Sequence, residues 1–197
     1  MPYNISDLGM NTICHILIPV FVSVPLVVSG SQDKDFEYEF MQEDTSYAFR
    51  GSFLVNAASD CVIDLIYNVH NISEYALGAQ SIELIQQGDT WYDVSYTYRK
   101  FFIFEHTSTW RRTFKPDEHK IVFDMLSSKN NLKMMPEVIS STGYYQIRKE
   151  KDRCRVEYFQ ACLLKPGVFK RAYINEAMRD SISFLHELKS FIERKCE

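Results

Sequence analysis

The fold of this chain is decided by residues 157–193, EYFQACLLKPGVFKRAYINEAMRDSISFLHELKSFIE, which join a strand pattern to a long amphipathic helix. Lys165-Pro166-Gly167 ends the strand, because proline cannot donate to a sheet ladder, and the helix is predicted over residues 168–194. An apolar stripe recurs along it at three- and four-residue spacing: Ile174, Met178, Ile182, Leu185, Leu188 and Ile192. An antiparallel sheet that is apolar on one face must bury that face, so this helix is predicted to cover a sheet.

The upstream sequence predicts that sheet. Tyr47–Val55 alternates apolar and polar residues as a half-buried strand does. Two short helices follow at 61–67 and 72–77, and Gly78 ends the second. Further strand patterns occupy residues 80–87, 91–100, 102–114, 121–126, 144–150 and 153–164. The prediction is an α+β fold in which a curved, seven-stranded antiparallel sheet wraps around one long C-terminal helix, with two short helices after strand 1.

Composition limits the classes of function. The chain has 197 residues, of which 46% are hydrophobic, and this length and apolar content indicate one globular domain with its own core. The net charge is −4, and no basic block is longer than Arg111-Arg112. A nucleic-acid partner is therefore not expected.

The N-terminal residues are predicted to stand apart from the domain. Ile13–Val28 is an uncharged apolar run, followed by the small residues Ser29, Gly30 and Ser31. Residues 1–30 are interpreted as a signal peptide or a membrane anchor, residues 31–45 as a linker, and residues 46–197 as the globular domain. A signal would export the protein to the periplasm or outside the cell. Without a signal, the protein would be membrane-anchored or cytoplasmic.

The cysteines leave two alternatives open. Cys61, Cys154, Cys162 and Cys196 are either buried free thiols or include one disulfide formed after export. No Cys/His cluster has metal-ligand spacing, so neither a metal site nor a cofactor is predicted.

The order of elements resembles the helix-grip fold of the START-like, or SRPBCC, superfamily, which includes the polyketide cyclase/dehydrase and lipid-transport group and the birch-pollen-allergen-like proteins. The resemblance covers about residues 46–195. It rests on the ending quoted above and on residues 49–85, FRGSFLVNAASDCVIDLIYNVHNISEYALGAQSIELI. It implies an apolar cavity between the sheet and the last helix, which holds a hydrophobic small molecule such as a lipid or quinone. A minority of such proteins are enzymes, so the alternatives are a polyketide cyclase/aromatase-type enzyme and a protein-interaction module on the same fold.

Candidate site residues follow from the inward faces of the predicted strands and helix, where a few polar side chains interrupt an apolar lining. The predicted lining comprises Tyr96, Tyr98, Phe104, His106, Ser108, Trp110, Arg112, Phe123, Met125, Tyr144, Tyr158, Met178, Ile182 and Leu185. Residues 127–140 are predicted to form a connection whose apolar residues make a lid: Leu132, Met134, Met135 and Pro136. With Lys129 and Lys133 beside them, a transient membrane contact is a further expectation.

Overall fold

The computed structural model describes residues 26–33, 35–76, 78–100, 104–165 and 167–196. These residues form one antiparallel sheet of nine strands in the order β1-β2-β3-β9-β8-β7-β6-β5-β4. The strands are β1 (Leu26–Asp33), β2 (Phe36–Gln42), β3 (Ser46–Val55), β4 (Ala79–Gln87), β5 (Trp91–Lys100), β6 (Phe104–Lys115), β7 (Lys120–Asn130), β8 (Glu137–Glu150) and β9 (Arg153–Lys165). The helices are α1 (Ser59–Tyr67), α2 (Ile72–Tyr75) and α3 (Lys170–Lys195), with short 3₁₀ turns at Val69–Asn71 and Pro116–Glu118.

The predicted α+β architecture is confirmed, but the sheet has nine strands, not seven. The two additional strands, β1 and β2, extend the sheet beyond β3 and occupy much of the stretch interpreted as a linker, so that interpretation is wrong. Phe36 and Phe40 are buried on the inner side of β2, whereas Glu37 and Glu39 alternate with them. The glutamates make the stretch read as polar although its other face belongs to the core. Residues 1–25 lie outside the described part of the chain.

The predicted connection at residues 127–140 is also mostly strand. β7 continues to Asn130 and β8 begins at Glu137, which leaves a short turn at residues 131–136. The pairing shifts register between Thr109 and Trp110 and again between Val138 and Ser140. Such bulges interrupt the two-residue alternation by which a strand is recognised, so the sequence pattern ends β7 too early and begins β8 too late.

Helix α3 packs tightly along its C-terminal half. Leu185, Leu188 and Phe191 are fully buried there. A Cβ atom on Gly51 of β3 would overlap the side chain of Leu185, so the helix crosses the sheet where glycine lets it approach. A disulfide with an S–S distance of 2.03 Å joins Cys61 in α1 to Cys196 just after α3, whereas Cys154 and Cys162 are free and buried.

Among the described residues, no helix combines the length and apolar character needed to cross a bilayer.

Candidate functional site

The middle of α3 carries apolar side chains that are not fully covered, although Ile174, nearer the start of the helix, is buried. Leu185 and the buried residues after it close the C-terminal half, but Met178 and Ile182 are only partly buried. The facing strands carry three large side chains that are likewise only partly buried: Tyr98, Trp110 and Met125. We call the region bounded by these five partly buried side chains the inner gap. Its wall is apolar and aromatic, as small-molecule sites usually are.

Aromatic side chains form the floor of the inner gap. Phe123 stacks on Tyr158 with ring centroids 5.7 Å apart, and Trp110 meets the edge of Phe123 at 5.8 Å. Phe184 of α3 packs on Tyr158 at 5.2 Å. These contacts connect the aromatic side chains of the floor to one another, and aromatic pairs prefer such offset and edge arrangements.

Two titratable side chains lie at the edge of the inner gap. The rings of Tyr98 and His106, on paired strands β5 and β6, are 6.2 Å apart. Burial lowers the pKa of His106, and burial, opposed by the charge of Arg112, raises the pKa of Tyr98 to about 12. At neutral pH the imidazole is therefore uncharged and the phenol keeps its proton. Together they offer hydrogen-bond donors and acceptors without a net charge.

Arg112 points inward, as predicted, but its guanidinium is occupied by the protein. Nη1 donates to the Ile66 carbonyl oxygen at 3.1 Å, to the Tyr75 hydroxyl at 3.1 Å and to the Tyr92 hydroxyl at 3.4 Å. Nη2 donates to the Tyr145 hydroxyl at 3.3 Å. The Ile66 carbonyl belongs to the last turn of α1, where carbonyl oxygens lack helical donors. The buried cation thus joins α1 and α2 to the sheet.

A second buried polar network lies on β8 and β9, and sequence reasoning missed it. Tyr158 donates to Oε1 of Gln160 at 2.7 Å, and Nε2 of Gln160 donates to Ser141 Oγ at 3.1 Å. Ser141 Oγ is also 3.0 Å from Cys162 Sγ. Tyr158, Gln160 and Cys162 occupy every second position of β9 and therefore share one face. Because Tyr158 is predicted to point inward, the same pattern predicts inward positions for Gln160 and Cys162. Burial raises the pKa of the Cys162 thiol, so it is not a thiolate nucleophile at neutral pH.

Several predicted lining residues lie elsewhere. Tyr144 is on the outer face of β8, where its ring lies 5.5 Å from that of Phe159, and its neighbour Tyr145 takes the inward position. Two consecutive tyrosines do not indicate which of them points inward, and the prediction chose the wrong one. Leu185 packs against Gly51 and is fully buried. Ser108 is buried and accepts a hydrogen bond from Trp110 Nε1 at 2.9 Å. The side chain of Phe104 falls outside the described part of the chain.

The predicted lid residues lie in the turn between β7 and β8. Met135 N donates to the Leu132 carbonyl oxygen at 3.0 Å, and Asn130 Nδ2 donates to the Pro136 carbonyl oxygen at 3.3 Å. Met134 is 55% exposed, whereas Pro136 is buried. The turn is therefore anchored at its base and exposes an apolar tip.

Comparisons by structure place this architecture among known folds, whereas no protein-family model and no curated protein sequence matches the chain. The Zhui aromatase/cyclase from Streptomyces sp. R1128 has a TM-score of 0.64 at 15% identity, over 77% of this chain and 96% of that one. A STAR-related lipid transfer protein from Xanthomonas axonopodis has a TM-score of 0.62 at 13% identity, over 84% and 98%. Human STARD10 has a TM-score of 0.64 at 7% identity, over 84% and 72%.

These likenesses show the fold. The chain has the START-like, SRPBCC helix-grip fold, in which a curved antiparallel sheet holds one long C-terminal helix. At such low identities the chemistry must be argued from this chain's own residues.

Proposed function

We propose that this protein binds a hydrophobic small molecule, a lipid or a molecule of similar character, in the inner gap. One observation carries the proposal: Tyr98, Trp110 and Met125 lie on the inward face of paired strands and Met178 and Ile182 lie on the apolar stripe of α3, yet none is fully buried. Close-packed interiors leave few voids, so inward side chains that keep exposure leave apolar surface that a ligand can cover. An apolar ligand between helix and sheet would remove their remaining surface from water, which is favourable.

The polar edge of the inner gap suits a ligand with a neutral polar end. His106 and Tyr98 are uncharged near neutral pH, for the reasons given above. A hydroxyl or carbonyl group on the ligand could therefore hydrogen-bond there without the cost of burying an ion. The lipid-transfer proteins among the structural neighbours support a cargo of this class.

The test is to purify the full chain from its own host and record its native mass spectrum before and after organic extraction. The proposal expects a mass increment that extraction removes, and an extract that holds one apolar compound or a narrow series of them. A chain that carries no extractable compound, and takes up none when offered lipids or quinones, would refute the proposal.

A second candidate is an enzyme of the polyketide cyclase/aromatase class. The observation that favours it is the neutral His106 beside Tyr98, because a buried imidazole with a lowered pKa can accept a proton near neutral pH. Turnover of a poly-β-ketone substrate by the wild type, lost in His106→Gln, would select the enzyme. Binding without turnover would select the carrier.

We also propose that the protein is exported. Support comes from the apolar run at residues 13–28 and from the Cys61–Cys196 disulfide, because disulfides persist mainly in oxidising compartments. Cleavage after Gly30 would cut within β1, so a cleavage site before Leu26 fits the sheet better. N-terminal sequencing of protein from the host decides this, and a chain that starts at Met1 would count against cleavage.

A further inference from the structure

An exposed apolar surface lies at the rim of the sheet beside the start of α3. Exposed large apolar side chains there come from the turn between β7 and β8, from the β8–β9 pair and from the segment that leads into α3. We call this set the rim face: Met134, Ile139, Leu163, Val168 and Phe169, which are 55%, 55%, 41%, 78% and 46% exposed.

Two sets of contacts bring members of the rim face close to one another. A Cβ atom on Gly167 would lie 2.9 Å from Pro136 N and 3.1 Å from the Met134 carbonyl oxygen, so the segment before α3 lies against the β7–β8 turn. Leu163 pairs with Ser140 where the register shifts, next to Ile139. Single exposed apolar side chains are ordinary, but a group gathered at one rim marks an interaction surface.

Cations surround the rim face although the whole chain has a net charge of −4. Lys129, Lys133 and Arg171 are exposed and form no ion pair with any residue in the described part of the chain. Lys165 pairs loosely with Glu137 at 3.7 Å, and Lys170 pairs with Asp44 at 2.6 Å. Glu105 and Glu43 lie near this surface as well, and Lys129, Lys133 and Arg171 supply exposed positive charge beside the apolar side chains.

We propose that the rim face docks on a lipid bilayer that carries anionic headgroups. Exposed apolar tips flanked by unpaired lysine and arginine match the two layers of such a surface, because the tips enter the acyl boundary while the cations meet the headgroups. The rim face adjoins the N-terminal half of α3, so docking brings the inner gap to the membrane. In this respect the inference rests on the proposed function, since it names where an apolar cargo would enter and leave.

The test is co-sedimentation of the full chain with vesicles of phosphatidylcholine alone or mixed with phosphatidylserine. The wild type should bind the mixed vesicles, and salt should weaken the binding because it screens the lysine–headgroup attraction. Val168→Ser/Phe169→Ser removes apolar tips and Lys133→Glu/Arg171→Glu reverses free cations. Each double variant should bind at least about tenfold more weakly.

Two matched controls exist on the same molecule. Leu84→Ser/Ile85→Ser changes two exposed apolar residues of the edge strand β4, and Lys149→Glu/Lys151→Glu reverses two exposed cations of the β8–β9 hairpin. Both should bind as the wild type does. The inference is overturned if the wild type ignores the mixed vesicles, or if either control loses as much binding as its rim-face counterpart.

Failure of this inference and failure of the proposed function are distinguishable. Wild-type protein that carries an extractable ligand but ignores vesicles overturns the docking surface alone. Vesicle binding by protein that never holds a ligand overturns the proposed cargo, and the rim face then stands as a membrane contact only.

Discussion

Burying the guanidinium of Arg112 costs hydration free energy, and its hydrogen bonds to the protein offset that cost. A guanidinium removed from water is expensive unless hydrogen bonds replace the lost hydration. Here the replacement comes from one carbonyl oxygen at the end of α1 and from the hydroxyls of Tyr75, Tyr92 and Tyr145. A helix C-terminus carries partial negative charge, which favours the cation. The residue that looked like a ligand contact in the sequence is thereby committed to structure.

Replacing Arg112 by methionine should lower the free energy of unfolding by about 3 kcal/mol. Methionine fills part of the volume, but the hydroxyls of Tyr92 and Tyr145 lose the donor that satisfies them. Urea unfolding measures the loss. Arg148→Met is the matched control, because Arg148 is 61% exposed and its ion pair with Glu157 should contribute less than about 1 kcal/mol. Equal losses in the two variants would contradict the structural role of Arg112.

His106 should make the folded state sensitive to acid. Burial lowers its pKa below the ordinary value of 6.5, so the unfolded chain binds a proton more readily than the folded one. Stability from this residue is therefore complete above about pH 6.5, and it falls as the pH drops through that value towards the folded pKa. His106→Gln removes this contribution, and the variant should lose less stability than the wild type between about pH 7.5 and 5.

The measurement is urea unfolding of both proteins across that range, read as the difference between their curves so that other groups cancel. His70→Gln, at an exposed position, should keep the wild-type decline in acid. Parallel curves for the wild type and His106→Gln would show that His106 is not desolvated.

At the scale of elements, the disulfide ties the start of α1 to the end of α3 across 135 residues of sequence. A cross-link over so long a loop restricts the unfolded chain strongly, so Cys61→Ser/Cys196→Ser should cost about 4 kcal/mol of stability. Reductant should destabilise the wild type to the level of the variant and should not affect the variant itself. A wild type that reductant leaves unchanged would mean that the bond contributes nothing.

The crossing of α3 over β3 depends on the pair Gly51 and Leu185. Gly51→Ala should destabilise the protein by about 2 kcal/mol, because the added methyl group overlaps Leu185. Leu185→Ala alone should cost about 3 kcal/mol through the cavity it leaves. The double variant should cost less than the sum, because the methyl group enters the vacated space. Chemical unfolding of the three variants gives the coupling, and simple additivity would contradict a direct contact.

The elements also show what the sequence could and could not predict. Strong periodicity made α3 readable, and its predicted range of 168–194 lies close to Lys170–Lys195. β2 was missed because Glu37 and Glu39 made a half-buried strand appear polar. The inward phase of β8 was missed because Tyr144 and Tyr145 are adjacent and a bulge shifts the register upstream. Periodicity in a sequence predicts which residues share a face. A bulge shifts that periodicity, and two adjacent residues of the same type do not show which one points inward.

For the whole molecule, the helix closes the sheet unevenly. The disulfide and the fully buried residues from Leu185 to Ile192 fasten the C-terminal half of α3. Ile174 is also buried near the start of α3, but Met178 and Ile182 in the middle of the helix keep part of their exposure beside the inner gap. Tight packing of the C-terminal half of α3 can stabilise the fold while the region near Met178 and Ile182 binds a ligand, because different residues then determine stability and binding.

A larger side chain in this region of α3 should therefore compete with the ligand. Met178→Trp adds aromatic volume inside the inner gap, and native mass spectrometry should show less bound compound than in the wild type. Ser183→Trp is the matched control, because Ser183 is exposed on the outer side of the same helix and should leave occupancy unchanged. Ile182→Trp repeats the test one turn along α3. Full occupancy in both gap variants, with circular dichroism spectra like that of the wild type, would mean that the ligand binds elsewhere.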